Sequence, residues 1–140
     1  MVHIPRSLRR KVAAAAQHRC GYCQTEQRVS GAQMHIDHLT PLAHGGTSDE
    51  SNLWLACAWC NSFKGDATHA VDPKSGQRAP LFNPRIQRWG EHFSWSDNFT
   101  RVVGLTPTGR ATVQALQMNN EFIVTARRYW VQAGWRPAVE

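Results

Sequence analysis

The chain has 140 residues, 16 Lys and Arg against 10 Asp and Glu, and a formal net charge of +6. This length predicts one domain with a moderate core, and the basic excess favours a polyanionic partner while suiting an ordinary protein as well. No apolar run approaches the roughly 18 residues of a membrane span, and the first residues lack the apolar core of a signal peptide. The sequence therefore argues against a membrane protein and predicts a soluble, cytoplasmic one.

Residues 5–18 have the pattern of a basic helix. Pro5 suits a first helical turn, and apolar residues recur at helical spacing between basic side chains. Arg9 and Arg10 lie in the most basic segment of the chain, so we predict that they contact nucleic acid. A solvated helix face is the alternative, and the sequence leaves it open.

All four cysteines fall into two Cys-x-x-Cys pairs, Cys20 with Cys23 and Cys57 with Cys60. Each pair offers two thiolates from a tight loop, which is the ligand set of a tetrahedral structural zinc. The alternative is two disulfides in an exported protein, which the missing signal peptide and the paired spacing disfavour. The 33 residues between the pairs exceed what a minimal zinc ribbon requires. We interpret them as a functional insert enclosed by the zinc clamp.

The insert contains two predicted strands. Residues 34–39 alternate between apolar and polar side chains, and residues 52–56 are apolar enough to form an antiparallel partner. Pro41 and the Gly45-Gly46 pair break regular structure, so a loop is expected between the strands. A short helix is predicted after the second cysteine pair, over residues 61–66.

Asp37, His38 and Asn61 supply the groups that phosphodiester hydrolysis requires. Carboxylate and amide oxygens suit Mg²⁺ or Mn²⁺, and a neutral imidazole with a pKa of about 6.5 can take a proton from water. Because positions 37 and 38 face opposite sides of a regular strand, the strand must twist or end there for both to serve one site. His35 shares the strand face of Asp37. We predict that it contacts phosphate or the surroundings of the metal, with an exposed strand position as the alternative.

Four motifs follow one another within residues 20–66: Cys20-x-x-Cys23, Ile36-Asp37-His38-Leu39-x-Pro41-Leu42-x-x-Gly45-Gly46-Thr47, Asn52-Leu53, and Cys57-x-x-Cys60-Asn61-x-x-Lys64-Gly65. In this order they resemble the HNH endonuclease family in its zinc-knuckle form. The resemblance covers about a third of the chain. It implies an α+β fold with a ββα-metal core, in which two strands and a helix surround one catalytic cation while the cysteines hold a separate zinc.

The resemblance also implies a role for each matching residue. Asp37 and Asn61 would be the ligands of a catalytic Mg²⁺ or Mn²⁺, and His38 the general base. Asn52 would hold the loop between the strands and so orient the base. Asn61 stands where the family's last H is written and resembles its asparagine variant, which leaves one charged protein ligand. Lys64 is similar to a family lysine near the phosphate and is expected to bind nucleic acid.

The remainder of the chain is predicted to support this core. Two short strands and two helices are expected, over residues 92–96, 101–106, about 110–117, and from Asn119 or Asn120 to Gly134. The predicted organisation is a single domain: a basic helix (1–19), the HNH core (20–68), a loop (69–80) and a C-terminal cap packed on the core (81–140).

Two functions are compatible with this sequence. The first is a metal-dependent endonuclease acting on DNA, and the second is a zinc-ribbon module that binds nucleic acid without chemistry. Both functions need the cysteines and the excess of basic over acidic residues, but only the first needs Asp37, His38 and Asn61 together. We therefore predict the endonuclease.

Overall fold

The structure is a computed structural model that describes residues 3–138. As predicted, the fold is α+β and combines short antiparallel two-stranded sheets with helices. Its elements, in chain order, are α1 (Arg6–Ala15), α2 (Gln27–Ser30), β1 (Met34–His38), β2 (Leu53–Cys57), α3 (Ala58–Lys64), β3 (His69–Val71), β4 (Arg78–Pro80), α4 (Trp89–His92), β5 (Phe93–Trp95), β6 (Val102–Gly104), α5 (Pro107–Ala115) and α6 (Glu121–Gln132). Within residues 3–138 none of the helices has the length and apolar character needed to cross a membrane.

The described chain divides into two compact units. The first unit contains residues 3–68 and 83–86, and the second contains residues 69–82 and 87–138. That they pack together as a single domain stays a prediction. The residues singled out in the sequence all lie in the first unit.

The first unit is built around the contact between α1 and β2. Val12 and Leu53 are fully buried and Ile4 is nearly so, and together they form a small apolar core. Fully burying a side chain of this size contributes roughly 1.5–3 kcal/mol. The helix ends at Ala15 and not at residue 18, because residues 17 and 18 adopt left-handed backbone conformations with φ of 55° and 56°.

The predicted strand pair forms an antiparallel ladder, with Asp37 opposite Trp54 and His38 opposite Leu53. Helix α3 follows β2 without a loop and begins at Ala58, three residues before the predicted start. The sulfur of Cys57 caps it by accepting a hydrogen bond from the Cys60 amide at 3.4 Å. The second cysteine pair is therefore part of the helix start, and it fixes the helix relative to β2.

The first cysteine pair packs tightly against β2. The Gly21 amide donates to the Leu55 carbonyl at 2.9 Å. A Cβ on Gly21 would lie 2.3 Å from the Trp54 ring and 2.7 Å from Pro84. Any side chain at position 21 would therefore collide with the ring and with the chain segment beside it.

Residues 83–86 differ from the prediction that placed them in the C-terminal cap, because they complete the first unit. The Arg85 guanidinium donates to the Leu53 carbonyl at 3.2 and 3.1 Å. It also lies 5.1 Å from the centroid of the Trp54 ring. These contacts attach the segment to β2.

In the second unit, residues 69–80 form a hairpin, β3 paired with β4, where the sequence predicted a loop. Asp72 explains the difference. Its carboxylate accepts hydrogen bonds from the Lys74 amide, the Ser75 hydroxyl and, at 2.9 and 3.0 Å, the Arg110 guanidinium. Turn and tertiary contacts together thus stabilise strands of only three residues each.

The two predicted strands and two predicted helices of this unit are present with shifted boundaries, whereas α4 was not predicted. Strands β5 and β6 pair with each other, and α6 is capped by Asn120, whose side chain accepts from the amides of Phe122 and Ile123. Helix α5 starts at Pro107, earlier than predicted, because the Thr106 hydroxyl accepts from the Gly109 amide at 3.0 Å and caps it.

Candidate active site and zinc centre

The four cysteines form one buried cluster. Their sulfur atoms all lie within 4.8 Å of one another, and all four thiols are free of disulfides. The sulfurs of Cys23 and Cys57 are 3.6 Å apart. A tetrahedral zinc with Zn–S bonds of about 2.3 Å places its sulfurs about 3.8 Å apart. The cluster therefore fits a zinc ion, and it is the one group of three or more His, Cys, Asp or Glu side chains in residues 3–138 placed to hold a metal.

A metal ion on this cluster would also balance its charge. Burial raises the pKa of the Cys20 thiol well above its ordinary value, and hydrogen bonds with the other cysteines raise the pKa of Cys60. Four buried thiolates cannot coexist without a counter-charge, and Zn²⁺ supplies one in structural sites of this type. The zinc site predicted from the Cys-x-x-Cys spacing fits this geometry and this chemistry.

An open cavity of about 310 Å³ brings Asp37, His38 and Asn61 together. Asp37 and His38 come from the end of β1, while Asn61 comes from α3 directly after Cys60. Strand β1 ends at His38, so the two neighbouring side chains can line one cavity, as the predicted site requires. The other lining residues are Ile36, Pro41, Leu42, Ala43, Gly65 and Asp66.

The His38 ring is held by a serine of the loop between the strands. Its Nε2 lies 3.0 Å from the Ser48 hydroxyl oxygen. When Nε2 carries the proton and donates to Ser48, Nδ1 keeps the lone pair that accepts a proton. This contact thus provides a way to select the tautomer of a histidine base.

Asn52 ties that loop together. Its side-chain oxygen accepts from the Thr40 amide at 2.8 Å, and its side-chain nitrogen donates to the carbonyls of Thr40 and Thr47 at 2.9 and 2.7 Å. The loop backbone at Gly46 passes close to the Thr40 carbonyl. A Cβ at position 46 would lie 1.8 Å from the Thr40 oxygen, so glycine is needed there. Because Thr47 directly precedes Ser48, the hydrogen bond from Asn52 to the Thr47 carbonyl also restrains the position of Ser48.

Asp37 is buried, with 4% of its surface exposed, and both carboxylate oxygens have partners. Oδ2 accepts from the Tyr22 hydroxyl at 2.6 Å, and Oδ1 lies 3.3 Å from Nζ of Lys64. Burial raises the pKa of Asp37, while the charge of Lys64 and the hydrogen bond from Tyr22 lower it. Burial and the Asp37 charge raise the pKa of Tyr22 well above its usual value, so its hydroxyl stays a donor at neutral pH.

Lys64 occupies a different place from the one predicted for a phosphate contact. Its side chain is 3% exposed, and its ammonium donates to Asp37 and, at 3.2 Å, to the His38 carbonyl. A buried ammonium needs an anionic partner, and Asp37 is that partner here. The Lys64 side chain therefore points to Asp37, the candidate cation ligand, and not to solvent.

The cavity residues also fit the donor set of a hard divalent cation. An ionised carboxylate offers about four acceptor positions, of which the Asp37 contacts above use two. The Asn61 amide oxygen adds a second hard ligand in the same cavity. A protein site with one or two such oxygen ligands, completed by water and substrate phosphate, is typical of Mg²⁺.

Arg9 and Arg10 are exposed on α1 and line a second open cavity, of about 400 Å³. Ile36 borders both this cavity and the one that holds Asp37, so the two are neighbours on the first unit. His35 is half-buried opposite Ala56 and does not line either of them.

The sequence interpretation missed three residues at the site. Tyr22, Ser48 and Asp66 contact or line it but were not singled out. Asp66 could have been found, since it follows the last motif by one residue. Tyr22 and Ser48 carried no comparable signal, because their contacts with Asp37 and His38 depend on how the chain folds back.

Comparison with known proteins agrees with this geometry. Residues 20–67 match the family model described as HNH endonuclease. No curated protein matches the chain. The matched residues include both cysteine pairs and all the residues that line the cavity of Asp37. The match indicates a nuclease or other nucleic-acid-related function. Residues 20–67 of this chain are therefore similar to the HNH endonuclease family.

Proposed function

We propose that this protein is a metal-dependent endonuclease that hydrolyses phosphodiester bonds in DNA. The observation that carries the proposal is the meeting of Asp37, His38 and Asn61 in one open cavity of the unit that contains the cysteine cluster. A structural zinc module has no need of an acid, an imidazole and an amide at one cavity. A metal-dependent hydrolase can use all three, the acid and the amide as cation ligands and the imidazole as a base.

Asp37 and Asn61 would hold a divalent cation, Mg²⁺ or Mn²⁺. When bound, such an ion supplies positive charge that stabilises the extra negative charge on the phosphate and on the leaving oxygen. Zinc on the four cysteines has no open ligand position, so its role is structural.

His38 acts as the general base. Its ring takes a proton from water, the water oxygen attacks phosphorus, and the bond from phosphorus to the 3′ oxygen breaks. The leaving 3′ oxygen gains a proton from solvent, which gives ends with 5′-phosphate and 3′-hydroxyl groups. Ser48 orients the ring, and Asn52 orients the loop that carries Ser48. A general base of this kind contributes about 10²- to 10⁴-fold in rate.

The surroundings of the cavity suit a nucleic-acid chain. The basic rim formed by Arg9 and Arg10 lies next to the reactive cavity across Ile36. Arginine side chains next to an active-site cavity can bind the backbone phosphates of a nucleic acid. This arrangement supports a polynucleotide substrate over a small phosphodiester.

One observation favours the rival function, a zinc-ribbon module that binds nucleic acid without cleaving it. The Asp37 carboxylate is buried and satisfied by Tyr22 and Lys64, as in an ordinary structural ion pair. The open cavity beside it argues against that function, because a purely structural pair needs no access.

The proposal is tested by nicking of supercoiled plasmid with zinc-loaded protein in buffer freed of other divalent ions. We expect no nicking until Mg²⁺ or Mn²⁺ is added. Loss of residues that merely surround a metal costs about 10- to 100-fold, so Asn61→Ala, which removes a ligand, should cost at least as much. Ser62→Ala, an exposed change on the same helix, is the matched control. Plasmid binding without nicking under either ion would favour the rival function.

A further inference from the structure

Tyr22 lies between the two cysteines of the first pair and has no exposed surface. Its hydroxyl donates to Oδ2 of Asp37 at 2.6 Å, across 15 residues of sequence. A hydrogen bond this short to a charged acceptor is among the stronger ones that proteins form. The first cysteine pair is thereby connected directly to the candidate cation ligand.

The second oxygen of Asp37 is held from the other side of the site. Lys64, which donates to Oδ1 at 3.3 Å, belongs to the helix that begins with the second cysteine pair. A donor close to each cysteine pair, Tyr22 for the first and Lys64 for the second, therefore binds the same carboxylate. With both oxygens restrained, the carboxylate has one orientation, and the acceptor positions left over are those available to a cation.

Charge balance alone does not account for Tyr22. The Lys64 ammonium already compensates the negative charge of Asp37. The tyrosine hydroxyl adds direction, because a hydrogen bond to one defined oxygen fixes how the carboxylate is turned. Residues that orient a metal ligand in this way commonly change metal affinity by about 10- to 100-fold when they are lost.

We propose that Tyr22 is a positioning residue of the catalytic cation site, which transmits the fixed geometry of the zinc cluster to the Asp37 carboxylate through its hydroxyl. The inference rests on the proposed function, since it assigns Asp37 to a divalent cation. It adds that the first cysteine pair acts on the cation site through this side chain.

The first test measures Mn²⁺ binding to zinc-loaded protein by the electron paramagnetic resonance signal of free Mn²⁺. Tyr22→Phe should keep the zinc and raise the Kd for Mn²⁺ by about 10- to 100-fold. Tyr129→Phe is the matched control, because Tyr129 is the other tyrosine of the chain and is 61% exposed. A Kd for Tyr22→Phe equal to that of the unchanged protein would overturn the inference and leave the nuclease proposal intact. Unchanged protein that binds no Mn²⁺ would overturn both.

A second measurement needs no substitution and so avoids a variant that fails to fold. The chain has two tyrosines, so labelling with 3-fluorotyrosine gives two fluorine resonances. We expect added Mg²⁺ to shift the resonance of Tyr22 and to leave that of Tyr129 in place. Cleavage supported by Mg²⁺ with no shift of the Tyr22 resonance would show that this tyrosine does not sense the cation.

Discussion

The two units of the chain are stabilised by different chemistry. The first has a buried cysteine cluster and a buried Asp–Lys pair, with only a small apolar core around Val12 and Leu53. The second is rich in aromatic contacts: Trp89 lies with its ring centroid 5.1 Å from that of Phe93 and 5.6 Å from that of Trp95. Its ion pair, Asp72 with Arg110, fixes a turn.

The difference lies in what the buried polar groups bind. Burying thiols or a carboxylate is costly unless each has a partner. In the first unit the buried cysteines form one cluster, and Asp37 lines the candidate cavity. In the second unit the buried Asp72 and Arg127 bind groups of their own unit, beside the tryptophan and phenylalanine contacts. Residues 69–82 and 87–138 hold no group of three or more His, Cys, Asp or Glu side chains placed to bind a metal. The comparison predicts that disturbing metals and buried charges will affect the units unequally.

Zinc removal should have the largest effect. Structural zinc contributes about 10 kcal/mol or more to folding, so a strong chelator should unfold the first unit of the full-length protein. Hydrogen exchange followed by mass spectrometry should show loss of protection in β1, β2 and α3, while β5, β6 and α5 stay protected. Zinc added back should restore protection. Unchanged exchange in β1 and β2 after the zinc has left would contradict a structural role for the cluster.

Replacing Lys64 should have the next largest effect. Lys64→Met leaves the buried Asp37 carboxylate without a counter-charge, since the paired side chains are only 3% and 5% exposed. Breaking a buried pair from one side typically costs about 3–5 kcal/mol. Urea unfolding of the full chain measures the change, and Lys74→Met, at an exposed turn position, is the control. An unfolding midpoint equal to that of the control would mean that Asp37 does not depend on Lys64.

The smallest effect is confined to the second unit and is lost under acid conditions. Hydrogen bonds from Arg110 hold the pKa of Asp72 well below its usual range. A carboxyl with a lowered pKa stabilises the fold above its unfolded pKa of about 3.9, and that contribution is lost as the pH falls through the folded pKa. Asp72→Asn should therefore destabilise the β3–β4 hairpin at neutral pH, and the difference from unchanged protein should shrink as the pH falls below about 4.

This effect is measured by hydrogen exchange of peptides from the hairpin and α5. The full chain is used, once at neutral pH and once below about pH 4. Asp97→Asn, at an exposed position of the same unit, should show no such pH dependence. A difference between Asp72→Asn and unchanged protein that persists undiminished at low pH would show that the carboxylate charge is not what stabilises the turn.

Local patterns in the sequence were enough to predict the first unit's plan. Cys-x-x-Cys spacing encodes a metal cluster because two thiolates from one tight loop suit one ion, and alternation over residues 34–39 encodes a strand. The caps of α6 and the strands β5 and β6 follow from residues close in sequence. In each case the physical cause lies within a few residues of its effect.

Contacts distant in sequence were beyond those patterns. Tyr22 meets Asp37 across 15 residues, Lys64 meets it across 27, and Arg85 reaches Leu53 across 32. The hairpin over residues 69–80 was missed for the same reason, because Arg110 completes its turn from 38 residues away. Such contacts depend on the register of the folded chain, so the sequence indicated the three side chains that meet in the cavity but not the side chains that hold them.

The central claim is that the chemistry resides in the cavity beside the zinc cluster, with His38 as the base. The most direct measurement is the single-turnover rate of plasmid nicking at saturating Mn²⁺ for His38→Ala, compared with His44→Ala at an exposed position of the neighbouring turn. We predict that His38→Ala keeps zinc, fold and DNA binding but nicks about 10²- to 10⁴-fold more slowly, while His44→Ala nicks at the rate of the unchanged protein. A folded, zinc-loaded His38→Ala protein that nicks at the unchanged rate would contradict the account.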